Sequence, residues 1–512
     1  MKKPMIRSRR LRYGSMTVAL TVTLIAALVL LNVIFSMLAG RYGWYADMTG
    51  NHLYTVSDEA HEQIKAAIDR AEAAGGNVRA EIVFAEDYNQ YEKGEVGHYI
   101  RETAKELAET YPDVFSIDWI DCYLDKSLAE DYGMRNAKSI VLRVTRADGS
   151  TDSVVFYQQN FFTFEDGNTT TPTGYDGERV FATSFATLLE TNRPKVYYTF
   201  NHDETLYDYS LFNLLSDAGY AFAELDLYRT PVPEDCDLLI TFNPNTDFII
   251  ADGVSEKSEI THLEDYLARG GNYMVFMSAN TPVLPNFESF LAEWGITVGR
   301  GYDAATDKSY NCMIKDPTTA LTSDGFTFIA DAVATGKGAE LTAPLTDREY
   351  IPPVVFRDAT ALLAAEGYAA SGEGSYQSGN RTRTDVFVAG SEATAHAAGR
   401  QLELSADALP LLTLTEDKTT GASVMVCGSV EFGTEDYLQS AVFGNTDSLL
   451  CVLREMGREN VMIGLHYKPF SSSNITSITT RQTTAWTVGL AVPPFVLILG
   501  TALIILVRRK YS

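Results

Sequence analysis

The sequence predicts an α/β protein held in a membrane by one hydrophobic helix near each end. Three observations carry that expectation. Two apolar stretches free of Asp, Glu, Lys and Arg, residues 13–40 and 483–507, frame a chain of 512 residues. Between about 192 and 300, short apolar runs alternate with amphipathic ones, the pattern of parallel strands covered by helices. Ahead of them, 41–191 reads as helix, strand, helix, strand and hairpin, an order compatible with a thioredoxin-like layout.

Each end stretch exceeds the roughly 20 apolar residues that a helix needs to cross the hydrocarbon core. The first is too long for the apolar region of a cleaved leader. Pro493-Pro494 inside the second would kink a membrane helix. The flanks 1–12 and 508–512 carry only basic charges, among them Arg10, Arg12, Arg508 and Lys510. The positive-inside bias then places both tails in the cytoplasm and 41–482 on the far side of a bacterial cell membrane. The tails carry nine basic residues and no acid, so the formal net charge of −26 leaves −35 on the segment between them. So acidic a surface repels phosphate, which argues against nucleic acid as a partner. Membrane lipid would meet the chain only through the two spans. At 46% hydrophobic and 11% aromatic the chain can bury a large core, and its length suits two or three domains.

Ser57 is a good N-cap, and Asp58 and Glu59 fall in the first turn, where the helix dipole favours acids. That helix is expected to end near Gly75-Gly76. A strand at 79–84, a helix at about 98–110 and a strand at 114–120 follow. Strands 139–145 and 153–157 flank Asp148-Gly149, a strong hairpin turn. A Thr/Gly/Asp-rich loop at 166–177 leads into a helix at about 179–190.

Asn192-Arg193-Pro194 marks a boundary. Strands are expected at 195–200, 221–227, 236–242 and 273–277. Helices are expected at about 206–218, 256–269 and 287–294. The region 301–420 is less regular and reads as an insertion. A buried strand at 423–428 and a helix at about 447–456 resume the pattern up to 467. A polar linker, 468–482, leads to the second span.

Four stretches together resemble the gliding-motility-type (GldG-like) auxiliary components of bacterial ABC transporters. They are Asp47-Met48-Thr49 with Leu53-Tyr54-Thr55-Val56-Ser57; Val196–Phe200 with Asn201-His202-Asp203-Glu204; the strand to Asn243-Pro244 with Gly270-Gly271; and Val424–Gly428 with Gly444-Asn445. Asn201 and Asp203 stand where that family usually has glycine. The resemblance implies that 192–467 is similar to the Rossmann-like GIFT domain. It also implies separate ATPase and permease subunits. This chain has no G-x-x-x-x-G-K-[ST] and so no P-loop of its own.

His202-Asp203-Glu204 follows a strand expected to be parallel, the position where open α/β sheets bind ligands. An imidazole with two carboxylates suits a divalent metal or acid–base work. The same three residues also suit a polar loop that caps the next helix. His202, Asp203 and Glu204 are therefore the expected ligand-binding residues, and no catalytic, cofactor or metal residue is expected. Two other positions could hold a nucleophile after a strand. Ser278 lacks the G-x-S-x-G frame, and Cys427 sits in an apolar run. The five cysteines are scattered and form no C-x-x-C. The expected function is a non-enzymatic auxiliary subunit of an ABC-type export system, its exported domain a scaffold or substrate-handling module. An exported binding protein for a cell-wall component, or a hydrolase with an amidotransferase-like fold, are the alternatives.

Overall fold

The computed structural model describes residues 52–470 apart from short stretches such as 86–90, 165–170 and 252–257, together with a few helical positions between Val22 and Ile34. The chain is mixed α/β with several sheets. Helix α1 (Asp58–Ala73) buries Ala60, Ile64, Ala67 and Ile68, the spacing of one helical face. The Ser57 hydroxyl caps it by accepting from the Ala60 amide at 3.2 Å. Strand β1 (Arg79–Ala85), helix α2 (Gly97–Thr110), strand β2 (Phe115–Ile120) and the short helix α3 (Lys126–Asp131) follow. The hairpin β3 (Ser139–Thr145) and β4 (Thr151–Tyr157) turns at Gly149, whose φ of 81° needs no Cβ to clash. The four strands form one sheet in the order β2-β1-β3-β4, with β1 and β2 parallel and the rest antiparallel. Two short strands, β5 (Phe162–Phe164) and β6 (Pro172–Tyr175), then lead to helix α4 (Gly177–Leu188).

Five parallel strands build the centre of the second unit. They are β7 (Lys195–Thr199), β8 (Ala221–Leu225), β9 (Leu238–Phe242), β10 (Asn272–Phe276) and β15 (Ser423–Cys427), in the order β8-β7-β9-β10-β15. Every residue of β9 and β15 is buried, as expected of strands covered on both faces. Alternation divides the core. Val196, Ile240, Met274 and Met425 pack on one face, and Leu239, Tyr273, Val275 and Val424 on the other. Helices α5 (Ser210–Asp217), α6 (Glu259–Ala268), α7 (Pro285–Glu293), α8 (Gly336–Thr346) and α9 (Asn445–Glu455) complete the unit.

The segment 301–420 extends the same sheet. Its strands β11 (Thr327–Ala332), β12 (Val354–Arg357), β13 (Arg381–Val388) and β14 (Pro410–Asp417) continue in the order β15-β14-β13-β11-β12, all antiparallel. The first six residues of β14 are buried. A hairpin at 369–372 and 375–378 adds two more strands to the β13 edge, giving eleven in all.

The two units are fastened to each other. Arg458 pairs with Glu190 and donates to the Ala218 carbonyl. Gln63 donates to the Ile463 carbonyl at 2.7 Å and accepts from the Ile463 amide at 2.7 Å. Lys468 and Pro469 pair with Tyr175 and Gly174 of β6, so the start of the expected linker is an edge strand of the first unit.

The expected two-span membrane anchor is not supported. Among the described residues no helix is long and apolar enough to cross a membrane. The longest of the helices named above, α1, has 16 residues and an exposed polar face. Most of 13–40 and all of 483–507 lie outside the described residues, as do both tails. A run of apolar residues reports hydropathy alone, whereas a span also needs one continuous helix of about 20 residues. The two-pass topology, the cytoplasmic tails, the extracytoplasmic placement of 41–482 and the contact with lipid through two spans fall with the anchor.

Candidate functional site

The chain leaves β7, makes α5, and enters β8 on one side of β7. It then returns to β9 on the other side. The strand order therefore reverses between β7 and β9, and a crevice opens beyond their carboxyl ends, where such sheets bind ligands. Residues 200–204 leave β7 and residues 243–246 leave β9 at these ends, and Phe200, Asn201, Asp203 and Glu204 line the crevice. Asn201, Asp203 and Asn243 have φ of 86°, 52° and 50°. That left-handed region suits Asn and Asp better than any other side chains, because their short polar groups bond locally.

The two turns hold each other. The His202 carbonyl accepts from the amides of Asn245 and Thr246 at 2.7 and 2.9 Å. The Asn245 side-chain amide donates to the Asp203 carbonyl at 2.9 Å, and the Thr246 hydroxyl donates to Asp203 Oδ2 at 2.8 Å.

The three residues expected to act together face different ways. His202 is 2% exposed and lies flat on Phe248, ring centroids 3.8 Å apart and planes 11° apart. Its Nδ1 is 3.0 Å from Glu204 Oε1 and its Nε2 is 3.3 Å from Glu259 Oε2. Burial opposes a charge on the ring. The hydrogen bonds to Glu204 and Glu259 outweigh it and push the His202 pKa up to about 9. The ring is thus a buried cation with both nitrogens donating, which leaves no lone pair for a metal.

Glu204 also accepts from the Thr199 hydroxyl at 2.9 Å and the His202 amide at 2.7 Å. Burial alone would raise its pKa, but the His202 ring and the backbone amides of Glu204 and His202 hold it below the usual carboxylate range. Thr199 continues the network to Thr241 and Tyr273 in the core. Asp203 stays exposed at the crevice. Glu259 is the partner that sequence reading missed. It lies in the first turn of α6, far along the chain, and reads there as an ordinary first-turn acid.

The crevice has a volume of about 360 Å³. Tyr198, Phe200, Phe212 and Phe242 give it aromatic walls, and Asp203 and Glu204 are its two carboxylates. Tyr198 packs edge-on against Phe212, centroids 5.1 Å apart, and donates its hydroxyl to Glu224 at 2.8 Å.

The two positions that could hold a nucleophile are closed. Ser278 is 8% exposed; its Oγ accepts from the Asn280 amide at 3.1 Å and donates to Asn243 Oδ1 at 3.4 Å. Cys427 is fully buried, with Sγ 3.3 Å from the Ser429 carbonyl, and burial pushes its thiol up to about 12. Among the described residues no group of three or more His, Cys, Asp or Glu is arranged to hold a metal ion.

No family model and no curated protein matches the chain. Among solved structures it is similar to the mmIFT52 N-terminal domain, at 15% identity and a TM-score of 0.35, covering 51% of this chain and 97% of that one. It is also similar to a cytoplasmic protein, STM3548, from Salmonella typhimurium, at 11% identity and a TM-score of 0.27, covering 51% of this chain and 98% of that one. A third, PurLQS from Thermotoga maritima, is 12% identical with a TM-score of 0.24, covering 51% of this chain and all of that one.

Proposed function

We propose that this protein is a non-enzymatic auxiliary subunit of an ABC-type export system, a scaffold or substrate-handling module beside separate ATPase and permease subunits. The observation that carries the non-enzymatic part is the state of Ser278 and Cys427. Ser278 follows β10 and Cys427 ends β15, and both are buried and committed to neighbours in the fold. A nucleophile needs an exposed oxygen or a low-pKa thiolate, and neither position offers one. The transport part is supported by the order of the four sequence stretches that resemble gliding-motility-type components. With no P-loop in the sequence, any work on a substrate must draw on another subunit.

The test is co-purification. The tagged full chain, purified from its native host, is expected to bring down an ATPase and a permease, and the ATPase rate of that complex should change when the chain is left out. Recovery of the chain without either subunit would overturn the proposal. Ser278→Ala and Cys427→Ser should leave the ATPase rate unchanged. Loss of that rate in a folded variant would instead favour the hydrolase reading.

A further inference from the structure

We infer that the crevice between β7 and β9 is a binding site for a small organic cation, an ammonium group carried on an apolar body. This does not rest on the transport reading.

Position is the first argument. The crevice lies where the strand order reverses, the place at which an open parallel sheet leaves space between its crossover helices. Its size, about 360 Å³, falls in the range of small-molecule pockets.

Charge is the second. Sheets that hold phosphate at this point use a glycine-rich turn, which brings bare amides and a helix N-terminus to the anion. Here the turn carries Asn201 and Asp203 instead, in the backbone conformation that glycine would take. The first amide of α5, that of Ser210, is already capped by Asp208 Oδ1 at 2.8 Å. The charged side chains that line the crevice are both carboxylates, Asp203 and Glu204. His202, the nearby cation, faces away from it, against Phe248. With Glu204 and Glu259 the histidine forms a cluster that is still net negative. An anion would meet repulsion from this surface and a cation would not.

Shape is the third. The walls are aromatic: Tyr198, Phe200, Phe212 and Phe242. Phe200 is 37% exposed although it directly follows a buried strand residue. Aromatic faces beside carboxylates are the recognition chemistry of quaternary and alkylated ammonium groups, because the ring quadrupole attracts a poorly hydrated cation. A phosphate would find no countercharge among these walls.

The probe is choline, titrated calorimetrically into the purified full chain, with its neutral carbon isostere 3,3-dimethylbutan-1-ol and inorganic phosphate as comparisons. Choline is expected to bind saturably at millimolar concentration or below. The neutral isostere should bind about fivefold more weakly or worse, the discrimination a cation–π contact supplies. Phosphate should not bind. Asp203→Asn keeps the backbone conformation and Phe200→Ala removes an exposed ring, so both should fold with an unchanged melting temperature. Each should weaken choline by about fivefold or more. Absence of saturable choline binding, equal binding of the neutral isostere, or unchanged affinity in both variants would overturn the assignment. The ATPase and permease play no part in this measurement, so its failure and that of the transport reading are separable.

Discussion

Lys468 Nζ lies 2.6 Å from Glu178 Oε2, and this ion pair fastens the last described segment of the chain to the first turn of α4. The same ammonium donates to the Thr55 carbonyl at 2.5 Å and the His52 carbonyl at 3.2 Å. The Ser57 hydroxyl donates to the other oxygen of Glu178. The Leu53–Ser57 stretch, one of the four that carry the sequence resemblance, is thereby tied through Glu178 to the carboxyl end of the second unit.

Glu178 is 7% exposed, so removing its cation leaves a carboxylate buried without its charge partner. Lys468→Met should lower unfolding free energy by about 3 kcal/mol, measured by chemical denaturation. Adding Glu178→Leu should recover most of that loss, since the uncompensated charge is then gone. A double variant no more stable than Lys468→Met would show that the pair does not act as a unit.

The His202 cluster makes stability depend on pH in a set direction. The folded pKa, about 9, lies above the ordinary histidine value of about 6.5. Its contribution is therefore complete below about pH 6.5 and is lost as pH rises through about 9, and the difference corresponds to about 3 kcal/mol at most. Glu204, held low, contributes in the opposite sense and is lost on acidification. Unfolding free energy should fall between pH 6.5 and 9 in the native protein, and that slope should vanish in His202→Gln. A slope that survives the substitution would assign the effect to other groups.

The cysteines give a third measurement. Cys236, Cys312, Cys427 and Cys451 are buried, and Cys122 is half-buried. Burial pushes Cys236, Cys427 and Cys451 up to about 12, where almost no thiolate exists near pH 8. An aromatic disulfide reagent should label about one thiol per native chain, at Cys122, and all five after unfolding. Fast native labelling at Cys427 would reopen the nucleophile reading of that position.

Local signals reached much of this fold. The pattern at 139–145 gave β3 with its observed ends, and the N-cap at Ser57 marked the start of α1. Even the departure from glycine at 201 and 203 was visible, although not that Asn201 and Asp203 keep the positive φ. What stayed hidden is non-local. Strand β13 reads RTRTDVFV, whose charges argue against a buried strand. Yet Arg383 and Asp385 are fully buried, paired at 2.7 Å, and Arg383 donates to the Leu362 carbonyl. Strand periodicity puts these two on one face, but nothing local shows that the rest of the fold covers that face. The pairing of Glu259 with His202 is hidden for the same reason. The membrane expectation is corrected on different ground: among the described residues no helix is long and apolar enough to cross a membrane.

Gly428 tests whether the 301–420 segment is integral to the central sheet. It follows β15, where the chain beside β12 crosses the strand ends. The Gly428 amide donates to the Leu411 carbonyl at 2.7 Å, and its carbonyl accepts from the Thr360 amide at 2.8 Å. A Cβ on Gly428 would sit 2.2 Å from the Thr360 carbonyl oxygen, a backbone atom that cannot swing aside. Gly428→Ala must therefore push the 358–361 segment away from the sheet, and should cost about 2 to 3 kcal/mol. Gly421, with φ of 76° and nothing within 4 Å of its would-be Cβ, is the control. Gly421→Ala carries only the backbone cost, about 1 kcal/mol. If the segment were a loosely attached excursion, it would yield, and the two substitutions would cost the same. A larger loss at Gly428, with unfolding still in one transition, is the result expected of one continuous sheet.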